Sequence, residues 1–187
     1  TLSQEVIAIE PGLEYHTVSL DNGQKINTYS VIMAMGGSPK KLGVAGETDN
    51  YGKGVSYCAV CDGFFFRNKN VVVVGGGDSA AEESLYLAKI VNKVYIAHRR
   101  DSLRASRILQ QRIQAECKIE MLWNTVISKI NGNDSGVTSV SLKDTKTGQE
   151  RDLATDGVFV FIGFDPNNAL VPGGVRMNAK GYVITDE

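Results

Sequence analysis

The chain has 187 residues, 42% of them hydrophobic, twenty glycines and a formal net charge of −1. That length is enough to bury one or two real cores, and the near-neutral balance recommends neither nucleic acid nor an anionic membrane as a partner. The longest apolar runs, residues 71–74 and 158–162, are strand-length and far short of a membrane span.

No signal-peptide pattern opens the chain. Thr1 leads straight into strand-like sequence without an initiator methionine, which reads as a truncated or processed start. The first third is β in character. Residues 6–9, 15–20 and 25–34 are strand-like runs separated by Pro11-Gly12 and Asp21-Asn22-Gly23, the second cluster being a strong hairpin signal. A three-stranded meander is expected. Met35-Gly36-Gly37-Ser38-Pro39 is then a glycine turn leaving a strand, and the polar stretch through Gly54 is the candidate domain hinge.

From Val55 strand and helix alternate. Residues 70–74 hold four valines, the composition of a buried parallel strand. Residues 78–89 predict a helix with Ala81, Leu85 and Ala88 on one face, and residues 94–97 a second strand. A further helix is expected at 105–116, with Ile108, Leu109, Ile113 and Ala115 on its apolar side. Strands follow at 119–122, 126–130, 137–142 and 158–162, with turns at Asn131-Gly132-Asn133-Asp134 and Thr147-Gly148. This order fits an α/β fold, a Rossmann-like dinucleotide-binding domain with an antiparallel insertion.

Val74-Gly75-Gly76-Gly77-Asp78-Ser79-Ala80 contains G-x-G-x-x-A between a predicted strand and a predicted helix. Gly75 permits the tight turn, Gly77 lets backbone approach a pyrophosphate, and Ala80 allows close helix–strand packing. The helix start then offers free N–H groups and a partial positive charge to the anion. At the end of the next strand an acidic residue would bind a ribose 2′-hydroxyl, whereas arginine accommodates a 2′-phosphate. Here His98-Arg99-Arg100 occupies that place, with Arg104 close behind. Guanidinium forks match phosphate oxygens, so NADPH is the expected nucleotide. The plainer alternative is a solvated cluster in which Asp101 pairs with an arginine.

Upstream lies Ser56-Tyr57-Cys58-Ala59-Val60-Cys61-Asp62-Gly63. Cysteines at i and i+3 on one helical turn can close a small, reducible disulfide, and a helix N-terminus stabilises the thiolate that exchange requires. Asp62 can deliver a proton to a departing thiolate, or it can simply cap a turn. Zinc is the competing use of the pair. A closed site needs four ligands, and the remaining soft donors, Cys117, His16 and His98, do not sit at partner spacing. No metal is expected.

Cys58-Ala59-Val60-Cys61-Asp62-Gly63, Gly75-Gly76-Gly77-Asp78-Ser79-Ala80 and His98-Arg99-Arg100 with Arg104, in that order and spacing, resemble low-molecular-weight thioredoxin reductases. Residues 157–163 with Pro166-Asn167 resemble the strand by which such enzymes return to the flavin domain. Ile32-Met33-Ala34-Met35-Gly36 corresponds to their ATG segment, with Met35 in place of the usual threonine. The resemblance implies three parts: 1–43, part of an FAD domain carrying the meander; 44–164, the NADPH-binding domain with the C-x-x-C; and 165–187, a C-terminal piece of the FAD domain. It implies Cys61 as the charge-transfer thiol, Cys58 as the interchange thiol that attacks thioredoxin, and Asp62 as the acid–base residue. Gly75, Gly76, Gly77, Asp78, Ser79 and Ala80 would hold the pyrophosphate, and His98, Arg99, Arg100 and Arg104 the 2′-phosphate end. FAD, a homodimer and a cytoplasmic location are implied for the whole enzyme.

A flavin-binding G-x-G-x-x-G and a C-terminal Gly-Asp segment are not seen, so the polypeptide is expected to bind NADPH, hold no FAD and turn over no thioredoxin by itself. In the whole enzyme the domain is expected to rotate about hinges near 43–54 and 163–166. The reductase component of an alkyl hydroperoxide system and an isolated nucleotide-binding module are the alternatives. Cys117 is expected as a buried small apolar residue, His16 as structural, and Trp123 and Phe64-Phe65-Phe66 as packing, with thioredoxin docking by residues 64–67 the other use of that run.

Overall fold

In the computed structural model, which describes residues 3–185, Pro39–Gly163 form one compact unit and the described residues on either side form a second. The flanking unit contains the meander: β1 (Val6–Glu10), β2 (His16–Leu20) and β3 (Lys25–Thr28), paired antiparallel in that order. Its second turn closes on Gly23 at φ 84°, with Gly23 N–H donating to Leu20 O at 3.0 Å. The third strand stops at Thr28 rather than reaching Ala34. Register pairs Thr28 with His16, the first residue of β2, so no partner backbone remains. Thr28 Oγ1 instead bonds Ser30 O at 3.0 Å, a local alternative to the ladder. The short β4 (Gly37–Pro39) follows.

The larger unit comprises β5 (Val55–Ser56), α1 (Ala59–Asp62), a 3₁₀ turn (Gly63–Phe66), β6 (Asn70–Gly75), α2 (Asp78–Ala88), β7 (Lys93–His98), α3 (Arg107–Ala115), β8 (Ile119–Trp123), β9 (Thr125–Asn133), β10 (Gly136–Asp144), β11 (Glu150–Ala154) and β12 (Gly157–Phe161). After it β13 (Phe164–Pro166) pairs with β4. Five strands form a parallel sheet, β5-β12-β6-β7-β8, and three an antiparallel sheet, β11-β10-β9.

The period of two in a strand sorts the valine run between two cores. Val71 and Val73, with Phe159 of β12, face the helical layer of Ala80, Leu87, Leu109 and Ile113. Val72 and Val74, with Val158 and Val160, face Ile127, Ile130, Val140 and Leu142 of the antiparallel sheet. The central strands are therefore apolar throughout because both faces are covered.

Several local expectations differ from the fold. The compact unit begins at Pro39 rather than 44 and ends at Gly163 rather than 164. The stretch 43–54, expected as a hinge, is bonded into this unit. Ile130 N–H donates to Ala45 O at 2.9 Å and Val137 N–H to Lys53 O at 3.0 Å, so its backbone is committed to β9 and β10. β9 runs through Asn133 and the turn falls at Asp134 and Ser135, because Asn131 Nδ2 is held by Ser139 Oγ at 3.1 Å. The polar β11 gave no sequence signal; it is an edge strand of which Leu153 alone packs on the core. α3 buries Leu109 and Ile113, four residues apart, while Ile108 and Ala115 face solvent. Cys117 is exposed, not buried, because it falls in the turn after α3, beyond that helix's last apolar contact. Phe66 packs edge-on against Phe159 with ring centroids 5.1 Å apart, whereas Phe64 and Phe65 are exposed.

Candidate functional site

The disulfide site is built within one short segment. β5 ends at Ser56, and Cys58 forms the N-cap of α1 in extended backbone, its Sγ accepting the Cys61 N–H at 3.1 Å. Cys58 and Cys61 are joined by a disulfide with Cα atoms 5.3 Å apart. Cys58 is half-buried and Cys61 exposed, so exchange partners can reach the bond. On reduction, the N–H already directed at the Cys58 sulfur is a donor for its thiolate.

Asp62 closes the turn, its Oδ2 accepting the Ser56 hydroxyl at 2.7 Å. The same Ser56 Oγ accepts the Cys58 N–H at 3.0 Å. One buried hydroxyl thus orients both the carboxylate and the residue carrying the N-terminal thiol. Sequence reasoning passed over Ser56, since an ordinary Val-Ser strand end carries no mark of it. Tyr57 is anchored from the other side: its hydroxyl donates to Glu47 Oε1 at 2.9 Å, and Glu47 also accepts Leu42 and Gly43 N–H groups, each at 2.8 Å. Burial, then the Glu47 contact, pushes the Tyr57 phenol far above its ordinary value, so it stays a donor.

α1 and α2 share a core, with Ala59, Ala80 and Leu87 buried in one cluster. A Cβ on Gly63 would lie 3.0 Å from Leu87 Cδ2. Glu83, on α2, has its carboxyl raised by burial against the opposing hydrogen bond from the Ala59 backbone.

The glycine loop joins β6 to α2. A Cβ on Gly75 would stand 2.6 Å from Ala80 Cβ and strike Phe161 O, so glycine and alanine are both required for strand and helix to approach. Gly76 lies beneath the His98 ring, and its carbonyl accepts Arg104 N–H at 2.7 Å and Ala105 N–H at 3.1 Å. Gly77 is the N-cap of α2, and a Cβ there would meet nothing within 4 Å. The space over this helix start is open, as pyrophosphate binding to its N–H groups requires. Ser79 is exposed in the first turn, Ala80 is buried, and the Asp78 carboxylate is engaged with Ser106 N–H at 2.7 Å.

Beside this loop lies a cleft of about 490 Å³ whose lining includes Gly75, Gly76, His98, Arg99, Arg104 and Phe161. His98 is 5% exposed, with Nε2 3.0 Å from Ser102 O. Burial first, with Arg100 and Arg104 adding to it, pulls its pKa down against the Ser102 and Gly75 backbone bonds. A neutral ring supporting the glycine loop follows. Arg99, Arg100 and Arg104 are exposed. The alternative in which Asp101 neutralises one of them is not what forms: Asp101 pairs with Lys146 at 3.3 Å, and no carboxylate of the described residues pairs with the three arginines.

No group of three or more His, Cys, Asp or Glu side chains that could hold a metal occurs among the described residues. No helix among them is long and apolar enough to cross a membrane.

The pyridine nucleotide-disulphide oxidoreductase family matches residues 1–187. Thioredoxin reductase of Helicobacter pylori is 47% identical over 157 residues, 84% of this chain and 50% of that protein. That of Bacillus subtilis is 46% identical over 176 residues, 94% of this chain and 55% of that protein. The crystal structure of Lactococcus lactis thioredoxin reductase superposes with a TM-score of 0.88 at 42% identity, covering 98% of this chain and 60% of that one. The chain thus spans about half the length of the curated relatives it matches.

Proposed function

This chain belongs to the pyridine nucleotide-disulphide oxidoreductases, and from that premise we propose that it is the nucleotide-binding, disulfide-bearing part of an NADPH-dependent flavoprotein thioredoxin reductase. One observation carries the reading. A single compact unit holds a half-exposed C-x-x-C disulfide and an open glycine loop flanked by three arginines that no carboxylate among the described residues neutralises. Within this reading Pro39–Gly163 is the NADPH domain, and the flanking strands belong to the FAD domain.

When bound, NADPH would supply reducing equivalents as hydride, and FAD would be the route by which they reach the Cys58–Cys61 disulfide. The residues of this chain do the rest. Gly75, Gly76, Gly77 and the first turn of α2, with Asp78, Ser79 and Ala80, hold the pyrophosphate through backbone N–H groups. Arg99, Arg100 and Arg104 would hold the 2′-phosphate, with the neutral His98 supporting the glycine loop beside them. Once the pair is reduced, the Cys58 thiolate attacks one sulfur of the thioredoxin disulfide, and the other thioredoxin sulfur leaves as a thiolate that takes a proton from Asp62. Cys61, deprotonated by the Asp62 carboxylate so formed, then attacks the Cys58 sulfur of the mixed disulfide, releasing the second thioredoxin sulfur as a thiolate that takes a proton from solvent and restoring the Cys58–Cys61 bond. The whole enzyme works as a cytoplasmic homodimer.

The test is stopped-flow reduction of the full-length enzyme by NADPH and by NADH, with oxidised thioredoxin as acceptor. Fast reduction by NADPH, slow reduction by NADH and accumulation of thioredoxin dithiol are expected. Equal rates with the two nucleotides would remove the 2′-phosphate reading, and an inert thioredoxin would remove the substrate.

A further inference from the structure

Asp101 follows the arginine pair directly in sequence. Its Oδ2 lies 3.3 Å from Lys146 Nζ, delivered by the turn between β10 and β11. That turn is shaped for the task. Asp144 Oδ1 accepts the N–H groups of Lys146 at 2.8 Å and Thr147 at 2.7 Å, and these bonds, Thr147 first, hold the Asp144 carboxyl below its ordinary value. Gly148 N–H returns to Asp144 O at 2.9 Å, with Gly148 at φ 73°.

The turn is also docked on the arginine loop. Thr145 N–H donates to Asn124 O at 2.6 Å, Asn124 N–H donates to Arg100 O at 3.1 Å, and Thr145 Oγ1 donates to Arg99 O at 3.4 Å. The antiparallel insertion therefore contributes an oriented lysine to the strand end where the nucleotide is discriminated.

We infer that Lys146 is a specificity-determining residue for the 2′-phosphate, acting by drawing Asp101 away from Arg99, Arg100 and Arg104. This rests on the reading that those arginines bind that phosphate. A phosphate and a neighbouring carboxylate compete for the same guanidinium donors. With Lys146 removed, Asp101 is left to its sequence neighbour Arg100 and the cluster loses one positive charge. Both effects fall on the 2′-phosphate and fade beyond a Debye length.

The experiment is calorimetric titration of the 187-residue chain with 2′,5′-ADP and with 5′-AMP as probes. Lys146→Ala is expected to lower the preference for 2′,5′-ADP by about three-fold at low salt, as suits an exposed ion pair. Adding Asp101→Asn to that variant is expected to restore the preference, since the competing carboxylate is then gone. Both side chains are exposed, so neither change threatens the fold. An unaltered preference in Lys146→Ala overturns the inference while leaving the 2′-phosphate reading intact. A loss that Asp101→Asn does not restore overturns the route through Asp101 and makes Lys146 a direct ligand. Equal wild-type affinities for the two probes overturn both readings together.

Discussion

The disulfide turn and the glycine loop rest on the same helical core, yet one is a local object and the other is assembled from distant segments. At the disulfide, Ser56, Cys58, Cys61 and Asp62 satisfy one another within residues 56–62. At the glycine loop, Gly76 is covered by His98 and bonded by Arg104 and Ala105, Asp78 is tied to Ser106, and the arginine backbone is held by Asn124 and Thr145. The first site depends on a handful of short-range bonds. The second depends on the register of β6, β7 and β8 and on the insertion beneath them. Chemistry confined to one turn should therefore be separable from binding, whereas binding should respond to packing across the unit.

The largest expected effect tests that separation. Cys58→Ser removes the proposed nucleophile and should lower thioredoxin reduction by the full-length enzyme on the order of a thousand-fold or more, leaving 2′,5′-ADP affinity as it was. Ser56→Ala keeps both thiols but frees the Asp62 carboxylate, and should slow the same assay by about ten-fold, the worth of a hydrogen bond to a charged group. A fall in nucleotide affinity with either variant would mean that the two sites are not independent.

Next comes Gly76→Ala. The added methyl meets the buried, hydrogen-bonded His98 ring, an overpacking that should cost about 1–3 kcal/mol in denaturant unfolding. Nucleotide affinity should fall with it while thiol reactivity per folded molecule is kept. An unchanged unfolding midpoint would show that His98 moves aside freely and that the loop is less dependent on tertiary packing than the comparison holds.

The smallest effect is the pH response of that same ring. Burial holds the His98 pKa below its ordinary value of 6.5 in the folded chain. As pH falls through 6.5 the unfolded chain takes up the proton first, so His98 contributes stability that is present above its ordinary value and lost as pH falls through its depressed one. The melting temperature should thus drop more between neutral pH and about pH 5.5 in wild type than in His98→Gln. Parallel slopes would mean that the ring is protonated where it sits.

Much of this organisation was legible in the chain. Four consecutive valines before Gly75-Gly76-Gly77 read as a strand buried on both faces, and so they are, because the run has no polar position to spare for solvent. The C-x-x-C read as a disulfide because its spacing is that of one helical turn. Cys117 is exposed where its apolar character predicts burial, because burial follows from where a helix ends, and α3 ends two residues before it. The stretch 43–54 looked like a hinge because it is polar; its hydrogen-bond partners are on β9 and β10, far along the chain. Phe64, Phe65 and Phe66 are alike in sequence, and the turn aims only the last at Phe159.

What the sequence determined unaided was everything set by period and short spacing: the alternation of strand and helix, the glycine loop, the paired cysteines and the basic cluster. Which hydroxyl steadies Asp62, which ring supports Gly76 and which lysine engages Asp101 were decided only in three dimensions. Those contacts depend on strand register and on where an insertion folds back, and these are settled by burying both faces of one sheet at once, not by any residue's own preference.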